Sequence, residues 1–143
     1  MNHPISKQDY EQLAEFRYKI RKFLRFSEAA ARESGVTPQQ YQLLLAIMGY
    51  PGRDYATPGE LAERLQVTHH ACVELIGRSV RSGLVVRQRN PEDRRSVFIA
   101  LTAEGSELLR TLAETHLDEI ERIGLFTGGE QPPCSSGSAS PPS

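Results

Sequence analysis

Residues 57–102 read TPGELAERLQVTHHACVELIGRSVRSGLVVRQRNPEDRRSVFIALT, and the fold is decided there. Thr57-Pro58-Gly59-Glu60 supplies a helix N-cap, a first-turn proline and a glutamate at the third position, just before Leu61. The short helix that follows turns Leu61, Ala62 and Leu65 inward. Gln66-Val67 makes a turn, and Thr68 caps the next helix. In that second helix Ala71, Cys72, Leu75 and Ile76 fall toward one side, and His69, His70, Val73, Glu74, Gly77 and Arg78 toward the other. Leu84-Val85-Val86 and Val97-Phe98-Ile99-Ala100-Leu101 are rich in β-branched and aromatic types. They bracket the polar turn Arg89-Asn90-Pro91-Glu92-Asp93-Arg94 and predict a β-hairpin.

Outward from this stretch, the remaining elements are helical. Ser6 with Asp9 resembles a capping box, flanked by Ile5 and Tyr10 as a hydrophobic staple. Thr37-Pro38-Gln39-Gln40 repeats the device, with Val36 and Tyr41 as its staple. Thr102 opens a last helix. The order is helix, helix, helix, helix, hairpin, helix. This is a mainly α fold with a β-hairpin wing, a winged helix-turn-helix flanked by long N- and C-terminal helices. The first helix runs from about Lys7 to about Glu33, roughly 40 Å, and carries Leu13, Phe16, Ile20, Phe23, Leu24 and Ala30 as one apolar stripe. The last, from about Ala103 to Ile123, carries Leu108, Leu109, Leu112, His116, Leu117, Ile120 and Ile123 on one side. Two such helices can bury leftover stripe against a second copy, which predicts a homodimer; a helix-on-helix core within a monomer is the alternative. The expected organisation is one domain over 1–126, with 1–33 and 102–126 for dimerisation and 37–101 as a binding lobe, then a disordered Gly/Pro/Ser-rich tail at 127–143.

With 143 residues, 38% hydrophobic and 24% charged, the chain fits one soluble domain. The longest apolar run, Leu43 to Met48, is far short of a membrane span. No secretory signal pattern opens the sequence, so a cytoplasmic protein with no membrane partner is expected. The net charge of −1 hides a local imbalance: Arg78, Arg81, Arg87, Arg89, Arg94 and Arg95 stand against Glu92 and Asp93. An arginine strip beside a helix is either a phosphate-binding surface or a solvated face. A helix of this kind has the width to enter a DNA major groove, and the hairpin would reach the neighbouring minor groove.

The run Asp93-Arg94-Arg95-Ser96-Val97-Phe98-Ile99-Ala100-Leu101-Thr102-Ala103-Glu104-Gly105 resembles the Asp-x-Arg and Leu-Thr-x-x-Gly wing signature of the MarR family of bacterial transcription regulators. Gly59-Glu60-Leu61-Ala62, Gly83-Leu84-Val85 with Arg87, and Thr37-Pro38-Gln39-Gln40-Tyr41-Gln42-Leu43-Leu44 fit the same family, over roughly Asp9 to Ile123. The resemblance implies a dimeric DNA-binding regulator, expected to repress from a palindromic operator on double-stranded DNA. It implies that Arg95 enters the minor groove and Asp93 braces it, with Arg94 on phosphate. The helix from Thr68 matches the recognition helix: His69, His70 and Val73 are candidates for base edges, Thr68 and Arg78 for phosphate. Thr57, at a helix N-terminus, is a further phosphate candidate through its hydroxyl and backbone N–H groups. The chain departs from the family pattern at three places. Ser79 stands where leucine is usual, its hydroxyl within reach of the Leu75 carbonyl. Glu74 puts an acid toward DNA, repelling phosphate unless it accepts from cytosine N4. The Gly/Pro/Ser tail begins where a final helix is usual, which predicts a weaker dimer or one held by the two long helices alone.

Other chemistry finds little support. His69 and His70 diverge by about 100° on a helix, and with Cys72 and His116 they make no obvious metal set, so no metal and no cofactor is expected. A buried Cys72 thiol would stay protonated and inert, and Cys134 sits in the tail. No phosphate loop, His-Glu-x-x-His or Gly-x-Ser-x-Gly motif occurs, so no enzyme is expected. By resemblance alone, a small aromatic or anionic effector binds between the dimerisation helices and the binding lobe. Tyr10, Phe16, Arg17, Tyr18, Arg21 and Tyr41 are near enough to line its pocket, or are core aromatics and solvated arginines. The rival function is a winged-helix module whose arginine strip meets an acidic protein.

Overall fold

The computed structural model describes residues 3–125, so the tail expected over 127–143, with Cys134, lies outside the described residues. Its elements are α1 (Lys7–Glu33), α2 (Pro38–Met48), β1 (Tyr55–Ala56), α3 (Pro58–Leu65), α4 (His69–Arg81), β2 (Val85–Arg89), β3 (Val97–Leu101) and α5 (Ala103–Ile123). The helix starts follow the caps. Ser6 Oγ accepts from Asp9 N at 3.2 Å, while Ser6 N donates to the Asp9 carboxylate at 3.0 Å. Full capping boxes open α2 at Thr37/Gln40 and α3 at Thr57/Glu60, each with proline in the first turn. The two staples differ. Val36 and Tyr41 are buried, whereas Ile5 and Tyr10 are each 60% exposed, so the first helix starts on its capping box alone.

The chain forms two compact units, and Ala30–Leu112 is the larger. Its core gathers Ala31, Leu43, Leu44, Ile47, Ala56, Leu61, Cys72, Ile76, Val85, Ile99 and Leu112 from all its elements. The sheet has order β1-β3-β2, antiparallel throughout, with Val85 opposite Leu101 and Arg89 opposite Val97. The third strand, Tyr55–Ala56, pairs with Ala100 and Ile99; two residues carry no alternation, so it was not legible beforehand. Tyr41 belongs to this core rather than to a ligand pocket: it is 5% exposed, and burial pushes its phenol up to about 12. Where α5 starts, Thr102 Oγ1 donates to the Gly83 carbonyl at 2.6 Å and accepts from Gly105 N at 2.9 Å. Gly105 packs so closely that a Cβ there would lie 2.1 Å from the Leu84 carbonyl oxygen.

The smaller unit joins residues 3–29 with 113–125. His116 is buried, its Nε2 2.8 Å from Ser27 Oγ and its ring edge-on to Phe23 and Phe26. Leu13, Phe16 and Leu24 of the predicted stripe are half or more exposed. Glu119 is buried at 8% exposure and pairs with Arg122. Burial opposes its charge, but the Arg122 guanidinium, the largest influence, holds the carboxyl below its ordinary value. Lys19 Nζ donates to the Gly124 carbonyl at 3.3 Å. No described helix is long and apolar enough to cross a membrane.

Candidate nucleic-acid interface

The turn between α3 and α4 depends on Gln66, whose φ of 56° puts a residue with a side chain in the left-handed region. Its side-chain amide donates to the Glu63 carbonyl at 2.8 Å, and Val67 N donates back to Ala62, which closes α3. Thr68 Oγ1 then accepts from Ala71 N at 3.0 Å and starts α4. Cys72, Leu75, Ile76 and Ser79 bury one side of α4, leaving His69, His70, Val73, Glu74 and Arg78 exposed on the other. Ala71, read as inward, is exposed: it sits in the first turn, before the core closes over the helix. Ser79 is fully buried and its Oγ donates to the Leu75 carbonyl at 2.9 Å, so a polar residue is satisfied inside the core. Cys72 is also fully buried, its Sγ 3.6 Å from the Pro58 carbonyl, and burial pushes its thiol up.

The wing tip is a ring of local hydrogen bonds. Asn90 Oδ1 accepts from Glu92 N at 2.9 Å, and Asn90 Nδ2 donates to Ser96 Oγ at 3.0 Å. Ser96 Oγ donates to the Asp93 carbonyl at 3.2 Å, and Asn90 N to the Ser96 carbonyl at 3.2 Å. Asp93 Oδ1 accepts from Arg95 N at 3.0 Å and lies 3.5 Å from Arg95 Nε. The ring aims Arg95 outward: its side chain is 95% exposed, against 48% for Asp93. Arg94 is exposed beside it. Asn90 and Ser96 were not singled out from sequence as closing groups; Asn90-Pro91 followed by Ser96 signals a turn but not which groups close it.

Thr57 is half-buried and engaged. Its N–H donates to Glu60 Oε1 at 2.9 Å and its Oγ1 accepts from Glu60 N at 3.2 Å. The N–H proposed for phosphate is therefore taken, and what Thr57 can still offer is its hydroxyl proton. Arg53, also missed, donates to Glu60 Oε2 at 2.5 Å and stacks over Tyr50 and Tyr55 at 4.3 and 5.2 Å. Burial opposes the Glu60 charge, but the Thr57 N–H and the Arg53 guanidinium outweigh it and hold the carboxyl below its ordinary value. Near the other end of α4, a Cβ on Gly77 would meet Arg81 Nη1 at 3.5 Å and Arg87 Nη2 at 3.8 Å. Both are ordinary contact distances, so the guanidinium groups of an α4 arginine and a β2 arginine flank Gly77. No group of three His, Cys, Asp or Glu side chains placed to hold a metal occurs among the described residues.

The exposed face of α4, the arginines at its end and the outward Arg95 form a surface suited to a polyanion with a readable groove. A family model described as MarR family matches residues 34–96. The transcriptional regulator HosA of Escherichia coli O111:H- is 34% identical over 98 residues, 67% of this chain and 70% of that protein. The HTH-type transcriptional repressor YetL of Bacillus subtilis is 29% identical over 90 residues, 62% of this chain, but the match spans only 53% of its own length. Among solved structures, a mutant MarR from E. coli complexed with operator DNA superposes with a TM-score of 0.65 at 24% identity, covering 79% of each chain.

Proposed function

Because this chain belongs to the MarR family of transcriptional regulators, we propose that it is a sequence-specific DNA-binding repressor working in the cytoplasm as a homodimer on a palindromic operator. Residues 37–101 form the DNA-binding lobe, and 1–33 with 102–126 the dimerisation helices. The observation that carries this reading is Arg95, its backbone N–H bonded to Asp93 and its Nε 3.5 Å from the same carboxylate, with the side chain 95% exposed at the wing tip. A guanidinium already held by a carboxylate loses less freedom on entering a minor groove than a free one. His69, His70 and Val73 face base edges, and Thr68, Arg78 and Arg94, with the Thr57 hydroxyl, face phosphate. The exposed Leu13, Phe16 and Leu24 are the surface that a second copy covers. A small aromatic or anionic effector loosens the complex; of the residues named for its pocket, Phe16 lines a groove of about 500 Å³ with Glu11, Glu15, Lys19 and Leu125.

The test is a fluorescence-anisotropy titration against random and selected duplexes across salt concentrations. Specific and random binding should both fall steeply with salt. Arg95→Ala should weaken binding about tenfold or more, the worth of a charged hydrogen bond, and relax preference for A·T-rich flanks. Unchanged affinity refutes the wing assignment. Salt-insensitive failure to bind any duplex favours the protein-binding rival, for which the exposed carboxylate of Glu74 is the one structural argument.

A further inference from the structure

α4 carries a single acid, Glu74, in the middle of the exposed face between His70 and Arg78. Its side chain is 59% exposed, and His70 Nε2 lies 3.3 Å from its Oε2. An acid on a surface otherwise built for phosphate weakens binding to every sequence alike, unless one base repays it. A carboxylate only accepts hydrogen bonds. In the major groove guanine and thymine offer it only acceptors, and adenine sets an acceptor beside its amino group. Cytosine alone presents the N4 amino donor without an adjacent acceptor.

We infer that Glu74 is a specificity-determining residue that selects cytosine at one position of each operator half-site, with His70 holding its carboxylate in place along the helix. The inference rests on the DNA-binding reading above. His70 Nε2 reaches one carboxylate oxygen from one turn away, which restrains the group along the helix. The same acid penalises the three other bases at that position and all non-specific sites, which raises the ratio of specific to random binding rather than affinity itself.

The experiment is selection of bound duplexes from a random pool by the full chain and by Glu74→Gln and Glu74→Ala, with thermal melting of each to establish folding. The wild-type pool should yield a palindrome with a fixed cytosine in each half. Glu74→Gln should return the same palindrome with adenine there, since glutamine pairs with adenine N6 and N7, and Glu74→Ala should lose preference at that position only. On the selected operator, replacing that cytosine by thymine should weaken the wild type about five- to a hundredfold and leave Glu74→Ala indifferent. Identical motifs from all three proteins overturn the inference, as does a change in melting with no change in motif, which would make the His70–Glu74 pair a helix brace. A wild-type chain that enriches no sequence overturns the DNA-binding reading itself.

Discussion

Replacing Gly105 by alanine should destabilise the fold although alanine is the better helix former. The added Cβ would lie 2.1 Å from the Leu84 carbonyl oxygen and 3.0 Å from its carbon, so the two backbones must part by well over an ångström to reach ordinary contact. Leu84 is not free to yield. Its carbonyl accepts from Thr102 N at 3.0 Å, its N–H donates to the Ser79 carbonyl at 2.9 Å, and its side chain is buried. Overpacking costs about 1–3 kcal/mol, and loosening one of those hydrogen bonds about 1 kcal/mol more. The helix-propensity gain of about 1 kcal/mol leaves a net loss near 2 kcal/mol. At this chain length that lowers Tm by roughly 8 °C. Circular-dichroism melts at equal protein concentration should show the drop, beside a Gly59→Ala control. Nothing lies within 4 Å of a Cβ at Gly59, so the same change there should leave Tm level or raise it. If Gly105→Ala melts with or above the wild type, the close approach of α5 to Leu84 is wrong.

Asn90→Ala removes two bonds of the wing ring and should weaken DNA binding about two- to tenfold by freeing the Arg95 side chain. In an Arg95→Ala background it should have no further effect; additive losses in anisotropy titrations would show that Asn90 does not act through Arg95. Glu60→Gln should lower Tm at neutral pH, because the Glu60 carboxyl lies below its ordinary value in the folded chain. Its contribution is complete above about pH 4.3 and lost as pH falls through the depressed folded value, so paired melts should converge in acid; a constant gap contradicts the ion-pair origin. In a Cys134→Ser background, Cys72 should react with a disulfide reagent only on unfolding, since it is fully buried; rapid labelling of the native chain would place it at the surface.

Threonine caps, prolines and periodic leucines made the helices of this chain readable, because each acts within a single turn. The back-bond from Ser79 to Leu75 was readable for the same reason. What escaped the sequence depends on contacts between distant segments. Arg53 and Glu60 look like unrelated surface charges until β1 and α3 bring them together. Asn90 and Ser96 are ordinary turn residues until the loop closes. The exposure of Ala71 shows the limit of helical periodicity, which gives a direction but not how far the core extends along it. Thr57 shows a different limit: the cap that made the helix legible also consumes the N–H group that would have met a ligand.

The hydrogen bonds that shape the wing tip all run between residues 90 and 96. Such a heptapeptide carries its own folding instructions and asks of its host only two antiparallel ends at the spacing of Arg89 and Val97. It should therefore survive transplantation onto another hairpin, while insertion of a single residue inside it would dismantle the whole loop. Divergence in the rest of the chain can proceed without disturbing it, and the cassette can be inherited as one piece.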